Sequence, residues 1–269
     1  MIHTDHIPRL TARILPLIGL LGVFLCSCQG ARVGAVQSTN ELPTLNKLPS
    51  LEQALETSHT DVKLEVKRNH SLILARREQL EISKEVKGHF EKAVTQAEKK
   101  FEEEDGDITQ SAITKLKLGL AGTLNDIAKF NSDIALAKLK LEKYLRIRWA
   151  DEVDISGPKF QPVSFPHQTV DQFLKSDTSG KTPKESDLFD LREAIIEVNK
   201  AREQLTLAGK NRKMTRALLV TEAANYDFGI GNEADLFEAL IIYTRVLVGY
   251  FEAVHTFNVE VYRFASLCR

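Results

Sequence analysis

The segment "ANYDFGIGNEADLFEAL", residues 224–240, decides how the second half of the chain folds. Gly229 and Gly231, followed by Ala234, match the spacing of a dinucleotide-binding loop. That loop works only where a β-strand feeds a helix, because the pyrophosphate must lie at the helix N-terminus. Here the preceding residues have a helical pattern, and no β-α-β unit surrounds them. The segment therefore predicts a turn between two helices, with Gly229 ending one and Asn232 capping the next.

A heptad pattern follows this turn and also follows a second glycine-bearing break at residues 102–110. After the turn the apolar positions are Leu236, Leu240, Tyr243, Leu247, Tyr250, Val254, Phe257, Val261 and Phe264. After the earlier break they are Ile113, Leu116, Leu120, Thr123, Ile127, Phe130, Ile134, Ala137, Leu141 and Tyr144. A sustained 3.5-residue period predicts that these helices pack as coiled coils.

The two heptad segments are copies of one another. Adding 127 to the positions from Ile113 to Ala137 gives those from Leu240 to Phe264, and the pair Phe130-Asn131 falls on Phe257-Asn258. The tetrapeptide Arg-Glu-Gln-Leu precedes each break, at 77–80 and at 202–205, an offset of 125. The difference between the offsets predicts that the second tip is two residues longer. An internal repeat of this size indicates two equivalent units, each an α-hairpin.

The eight prolines divide the chain, because none falls within residues 50–157 or 184–269. Proline inside a helix costs about 3 kcal/mol, so both stretches permit long helices. We expect an all-α fold of two long antiparallel coiled-coil α-hairpins with little or no β-barrel. The expected segments are a signal peptide (1–28), a tether (29–49), the first hairpin (50–149, its long helix starting near Leu72), a linker (150–184) and the second hairpin (185–269).

The N-terminal 28 residues have the pattern of a bacterial lipoprotein signal. Arg9 and Arg13 precede an apolar run, residues 14–25, which is short for a membrane span. Cys28 then stands where a lipobox places its acylated cysteine, and Gln29 in the next position favours the outer membrane. An ordinary secretory signal is the alternative interpretation. We therefore predict lipidation at Cys28 and a location on the periplasmic side of the outer membrane.

The composition and motifs favour neither an enzyme nor a nucleic-acid-binding protein. There are 36 basic and 37 acidic residues, so no overall basic charge favours nucleic acid. The histidines are scattered without metal-ligand spacing, and the acids of residues 98–107 lack the spacing of a calcium loop. No Ser/His/Asp or Cys/His arrangement is present. We expect no catalytic residues, no metal site and no cofactor.

The second repeat resembles the outer-membrane efflux protein (TolC) family. The matching residues are Asn225, Tyr226, Asp227, Gly229, Gly231, Asp235, Leu236, Ala239, Tyr243, Tyr250, Phe257 and Asn258. The first repeat is more divergent and keeps Gly106, Asp107, Ile108, Ala112, Phe130 and Asn131. The resemblance covers about residues 70–148 and 185–267.

The resemblance implies a homotrimer whose hairpins form a helical tunnel across the periplasm. It also implies partners at the hairpin tips, namely a periplasmic adaptor protein and an inner-membrane pump, in a complex that exports small molecules. Residues implied to lie at the tips or contact partners are Gly106, Asp107, Tyr226, Asp227, Gly229, Gly231 and Asp235.

The chain departs from the family pattern where barrel strands are expected. Residues 201–228 have a continuous helical pattern, without the alternating segments of about ten residues that a membrane barrel needs. The resemblance, taken with this departure, therefore implies the periplasmic part of an efflux system. The alternatives are a structural periplasmic coiled-coil lipoprotein without transport activity and an adaptor-type hairpin subunit.

Overall fold

The computed structural model describes residues 42–103, 108–176 and 185–268. The first part contains β1 (Thr44–Lys47), α1 (Leu51–Thr57), a 3-10 turn (Thr60–Val62), α2 (Lys63–Glu102), α3 (Gln110–Leu145) and β2 (Arg148–Asp154). The second part contains α4 (Val170–Ser176), α5 (Glu185–Asp227) and α6 (Glu233–Leu267). The expected all-α fold is confirmed, because α2 with α3 and α5 with α6 form two long helical hairpins.

The heptad positions form the buried face of each returning helix. In α6 all the predicted positions are buried except Tyr250, which is half-buried, and Val254 and Phe264 are fully covered. In α3 the one polar heptad residue, Thr123, is buried and its hydroxyl donates to the Gly119 carbonyl at 3.0 Å. A helical residue can satisfy a buried hydroxyl in this way without a partner on another helix.

Two details of the first hairpin differ from the sequence-based expectation. Helix α2 begins at Lys63 rather than near residue 72, because Val66 and Ile73 bury one continuous face with no exposed fraction. The connection between α2 and α3 has seven residues (103–109), whereas that between α5 and α6 has five (228–232). The prediction of a longer second tip is therefore wrong. The two extra residues extend α6, which begins about one turn earlier than α3.

The helices α2 and α6 lie against each other, with α3 packed on α2 and α5 packed on α6. Towards the tips, one apolar cluster is shared by both hairpins and includes Phe90, Leu116, Leu240 and Val254. Away from the tips each hairpin has its own cluster, around Leu141 in the first and around Phe264 in the second. The shared cluster therefore joins the two hairpins over the half that carries the tips.

A polar network crosses this helix interface. Arg76 of α2 donates to Asp133 of α3 at 2.7 Å and to Glu252 of α6, and it also donates to Gln79. Gln79 is fully buried, and its amide donates to the Val248 carbonyl of α6 at 2.9 Å. Burial alone raises the pKa of Glu252, but the hydrogen bond and charge of Arg76 lower it below the usual value. The network therefore keeps the Glu252 carboxylate ionised between the hairpins.

The segment after β2 is held by the repeated arginines. Arg77 donates to the carbonyls of Ile155 and Pro158, at 3.1 and 2.8 Å. Its repeat counterpart Arg202 donates to the carbonyls of Phe165 and His167, at 2.9 and 2.8 Å. Since a guanidinium offers five donors in a fixed plane, each arginine can bind two carbonyls that lie two or three residues apart. The repeated Arg-Glu-Gln-Leu motif thus fixes the connection between the hairpins.

Strands β1 and β2 form a two-stranded parallel sheet at the end of the first hairpin away from the tip. Thr44 pairs with Arg148 and Leu45 with Trp149, and an irregularity precedes the pairing of Lys47 with Asp154. The tether and linker expected from the sequence therefore contain paired strands. The Trp149 indole donates to the Lys138 carbonyl of α3 at 2.9 Å, which attaches the sheet to the hairpin.

Two histidines, His70 (buried) and His255 (half-buried), predict a pH dependence of stability. Burial lowers the pKa of both His70 and His255 below 6.5. The ring of His70 donates to the Pro49 carbonyl at 3.0 Å, and His255 lies 2.9 Å from the Ser71 hydroxyl. A pKa that is lower in the folded state than in the unfolded state stabilises the folded protein at pH values above the unfolded-state pKa. This stabilisation is lost as the pH falls through the folded-state pKa.

We therefore expect the melting temperature to decrease as the pH is lowered from about 7.5 to 5, the range in which histidines bind protons. Thermal unfolding followed by circular dichroism across this range measures the effect. The His70→Gln and His255→Gln variants should each show a flatter profile. A profile of wild-type slope in both variants would exclude these histidines as the cause.

Candidate functional site at the hairpin tips

The tip of the second hairpin lies against the end of α2, so the fold brings both hairpins to the same end of the molecule. Lys92 of α2 forms an ion pair with Asp227 at 2.6 Å. Lys100, a little over two turns further along α2, lies 3.8 Å from the Glu233 carboxylate and 5.3 Å from the centre of the Tyr226 ring. These contacts join α2 to both sides of the second tip.

Backbone geometry explains the first glycine of this tip. Gly229 has φ of +73°, in the left-handed region that glycine adopts without a Cβ clash. Its N–H donates to the Tyr226 carbonyl at 3.1 Å, and the next N–H, of Ile230, donates to the Asn225 carbonyl at 2.9 Å. These two bonds form a Schellman motif, which satisfies carbonyls at a helix C-terminus. The prediction that Gly229 ends α5 is confirmed.

Close packing explains the second glycine. A Cβ on Gly231 would lie 3.0 Å from both the Asn225 Cβ and the Tyr226 backbone nitrogen. Asn232 then caps α6, since its side-chain oxygen accepts from the N–H groups of Ala234 and Asp235 at 2.9 Å. The tip therefore needs glycine at position 231 for space and asparagine at position 232 for capping. These are requirements of a turn between two helices rather than of a phosphate-binding loop.

The side chain of Tyr226 lies inside the tip. It is 4% exposed, and its hydroxyl is 3.5 Å from the Ala93 carbonyl of α2. Burial, followed by the negative charges of Glu233 and Asp227, raises the pKa of Tyr226 to about 12. The ring of Tyr226 therefore packs between the second tip and α2.

The exposed apolar side chains of the tip are Phe228 and Ile230, which are 81% and 78% exposed. Neither residue belongs to the site predicted from the sequence. The sequence does contain a signal for their exposure. An apolar residue on either side of a left-handed glycine projects from the turn, because the turn is too short to bury it. Asp235, which the resemblance did select, accepts a hydrogen bond from the Asn232 amide at 2.8 Å.

Three of the predicted site residues lie outside the described part of the chain. Cys28, the predicted lipidation site, precedes residue 42, and Gly106 and Asp107 fall between residues 103 and 108. Phe101, at the end of α2, is 45% exposed, and Ile108 packs against the shared apolar cluster. The positions flanking the first break thus reach the same end of the molecule as the second tip.

Replacing Gly229 tests the tip geometry. Alanine in a left-handed conformation costs about 1 kcal/mol or slightly more, so Gly229→Ala should lower the free energy of unfolding by about that amount. Gly249→Ala is the matched control, since its Cβ would meet nothing within 4 Å. That variant should be more stable by about 0.5–1 kcal/mol. Urea unfolding measures both, and equal changes in the two variants would contradict the assignment.

Two further properties concern the described residues alone. No helix there combines the length and the apolar character that crossing a bilayer requires. No group of three or more His, Cys, Asp or Glu side chains in those ranges is placed to hold a metal ion.

Comparisons with known proteins show a likeness in fold to a solved structure. No protein-family model matches the sequence, and no curated protein matches it either. The fold is similar to that of CusC, whose crystal structures were described in terms of folding and transmembrane channel formation. The TM-score is 0.59 at 12% sequence identity, over 81% of this chain and 70% of CusC. At this identity the likeness concerns the fold, which this chain and CusC share over most of their lengths.

Proposed function

We propose that this protein is a TolC-like component of a tripartite efflux or export system, forming the helical part of its periplasmic tunnel. The observation that carries the proposal is the duplicated hairpin with both copies directed to one end, in a fold similar to that of CusC. The proposed role is non-enzymatic. It is the role of a conduit, in which the hairpins form walls and the tips meet other proteins.

The outer surface of α5 supports assembly into a closed wall. Five exposed apolar residues, spaced by 7, 11, 7 and 4 positions, follow one stripe along this helix: Phe189, Ile196, Leu207, Met214 and Leu218. Four of them are at least 60% exposed. Such spacing keeps residues on a single helical face. An apolar stripe of this length on an exposed helix indicates a protein–protein interface.

Helix α3, on the other side of the helix layer, has an exposed apolar face of its own. Leu118, Leu136 and Leu139 are 66%, 58% and 61% exposed, and alanines lie between them on the same face. The occupant we propose for each stripe is a second copy of this chain, with α5 of one copy against α3 of the next. Such a contact joins two different surfaces and closes a ring when the rotation between copies permits it.

The proposed assembly is a homotrimer anchored through a lipid on Cys28 at the periplasmic side of the outer membrane. Its tips would contact a periplasmic adaptor and, through it or directly, an inner-membrane pump. Phe228 and Ile230 supply exposed apolar surface for that contact, and the neighbouring ion pair of Lys92 with Asp227 holds the second tip in place. Apolar side chains surrounded by polar groups are typical of protein interfaces.

Charged substitutions in the α5 stripe should prevent assembly without unfolding the chain. Leu207→Glu with Met214→Glu places two carboxylates where the neighbouring copy would pack. We expect the dissociation constant of the oligomer to rise by at least about 100-fold, because burying an unpaired charge is costly. Analytical ultracentrifugation measures this. Thr206→Glu with Lys213→Glu, two exposed positions elsewhere on α5, is the control and should assemble as the wild type does.

Single-channel conductance in planar bilayers separates the proposed function from its main alternative. A conduit with an open tunnel should give discrete conductance steps, and the assembly-deficient Leu207→Glu/Met214→Glu variant should not. A structural lipoprotein without transport activity would give no steps even as an assembled oligomer. That outcome would favour the alternative and would remove the channel role from the proposal.

A further inference from the structure

The middle of the second hairpin carries a concentrated positive charge. Between Glu203 and Glu222 of α5, 18 residues contain four cations and no acid: Lys210, Arg212, Lys213 and Arg216. The facing part of α6, residues 239–251, contains Arg245 and likewise no acid. The chain as a whole has a net charge of −1, so this charge is a local feature.

These cations border a groove between α5 and α6. Thr206, Gly209, Lys213 and Arg216 follow one face of α5, at intervals of three or four residues. Together with Lys210, Arg212 and the ring of Tyr250 from α6, they line a concavity of about 680 Å³. The Arg212 guanidinium lies 4.7 Å from the centre of the Tyr250 ring and forms one wall.

Within the described residues, none of the four cations forms an ion pair with a carboxylate. The lysines of α2 differ, because Lys84, Lys87 and Lys92 each contact an acid at 2.8 Å or less. Tyr243 of α6, about two turns before Tyr250, donates its hydroxyl to the Glu85 carboxylate of α2 at 3.0 Å. With four cations and no acid among its lining residues, the groove is strongly positive.

Packing does not require the glycine of the groove. A Cβ on Gly209 would lie 3.9 Å from the Tyr250 ring, an ordinary contact distance. Glycine in the interior of a helix lowers stability relative to alanine, and like charges three or four residues apart lower it further. The sequence thus keeps an open, unneutralised site at a cost to the stability of α5.

We propose that this groove binds a multivalent phosphate-bearing anion. Guanidinium groups bind phosphate through paired N–H donors, and lysines add point charges. A concavity of this volume suits a small molecule or a headgroup. The phosphate belongs either to a free anion or to a membrane lipid, and the inference does not depend on the proposed efflux function.

Calorimetric titration of the full chain with tripolyphosphate tests the free-anion source, and co-sedimentation with phosphatidylglycerol vesicles tests the lipid source. Phosphatidylcholine vesicles are the uncharged comparison. The test variant is K210Q/K213Q/R216Q, which leaves the Arg212–Tyr250 contact in place and removes only exposed cations. We expect saturable wild-type binding in at least one arm, weakened about tenfold or more in the variant.

The matched control is K115Q/K129Q/K140Q, which removes three exposed cations of α3 that form no ion pair among the described residues. Its affinity should stay within about twofold of the wild type. Thermal unfolding of both variants checks that they fold. Tripolyphosphate binding assigns a free anion, and vesicle binding alone assigns a headgroup. Absence of binding in both arms, or equal weakening in the two variants, would overturn the inference.

Discussion

Replacing Gly119 by valine should lower the free energy of unfolding by about 2–3 kcal/mol, because the position has no room for a side chain. A Cβ there would lie 2.6 Å from the Phe90 ring of α2 and 3.1 Å from the Phe237 ring of α6. Phe90 has no exposed fraction, so its ring has no free space to enter. The added methyl groups would force α3 away from the apolar cluster shared by the hairpins.

Gly122→Val is the matched control for this prediction. Gly122 lies one turn along the same helix, and a Cβ there would meet nothing within 4 Å. Its free energy of unfolding should stay within about 0.5 kcal/mol of the wild type, since only helix propensity changes. Chemical unfolding in urea measures both variants. Similar stabilities for the two would show that the close approach of α3 to Phe90 does not exist in solution.

Removal of Arg76 should have an effect of similar size through charge rather than volume. Arg76→Leu leaves the carboxylates of Asp133 and Glu252 without the cation that pairs with both. Breaking a buried charge network is strongly destabilising. Because both acids keep some solvent exposure, we expect a loss of about 2 kcal/mol, less than for a fully buried pair.

Two further variants separate the network from a general effect of lost charge. Lys84→Met removes an exposed pair with Glu81 on the same helix and should cost about 0.5 kcal/mol or less. Arg76→Leu combined with Asp133→Asn and Glu252→Gln should regain part of the stability, because no unpaired carboxylate remains. Equal losses for Arg76→Leu and Lys84→Met would mean that the network does not hold the hairpins together.

Local chemistry made much of this fold predictable. The heptad positions from Leu236 to Phe264 become the buried face of α6 because a 3.5-residue period has one structural solution. The turn at Gly229 was predictable from the residues beside it. A left-handed glycine and an asparagine cap act within a few residues, so their effect does not depend on the rest of the chain.

The candidate site was only partly predictable because its contacts join distant segments. Tyr226 appears at an exposed turn in the sequence, yet α2 covers it through Ala93, 133 positions away. The strands β1 and β2 were missed for the same reason, since each pairs only with a segment about 100 residues distant. Short strands without an alternating pattern give no local signal.

The internal repeat identifies equivalent positions but not equivalent contacts. Gln79 is fully buried and donates to Val248, whereas its counterpart Gln204 is exposed. Asn258 is 1% exposed and binds the backbone of Gln161 and Val163, whereas its counterpart Asn131 is exposed. A given neighbouring segment contacts only one of the two hairpins. Equivalent positions of the two copies therefore make different contacts.

The oligomeric mass of the full chain in detergent tests the central claim most directly. The claim is that the stripes of α5 and α3 pack against further copies and close a ring. Light scattering coupled to size-exclusion chromatography should give a mass three times that of one chain. A monomer at concentrations well above the micromolar range would contradict the account, since its exposed apolar stripes would then have no partner among copies of this chain.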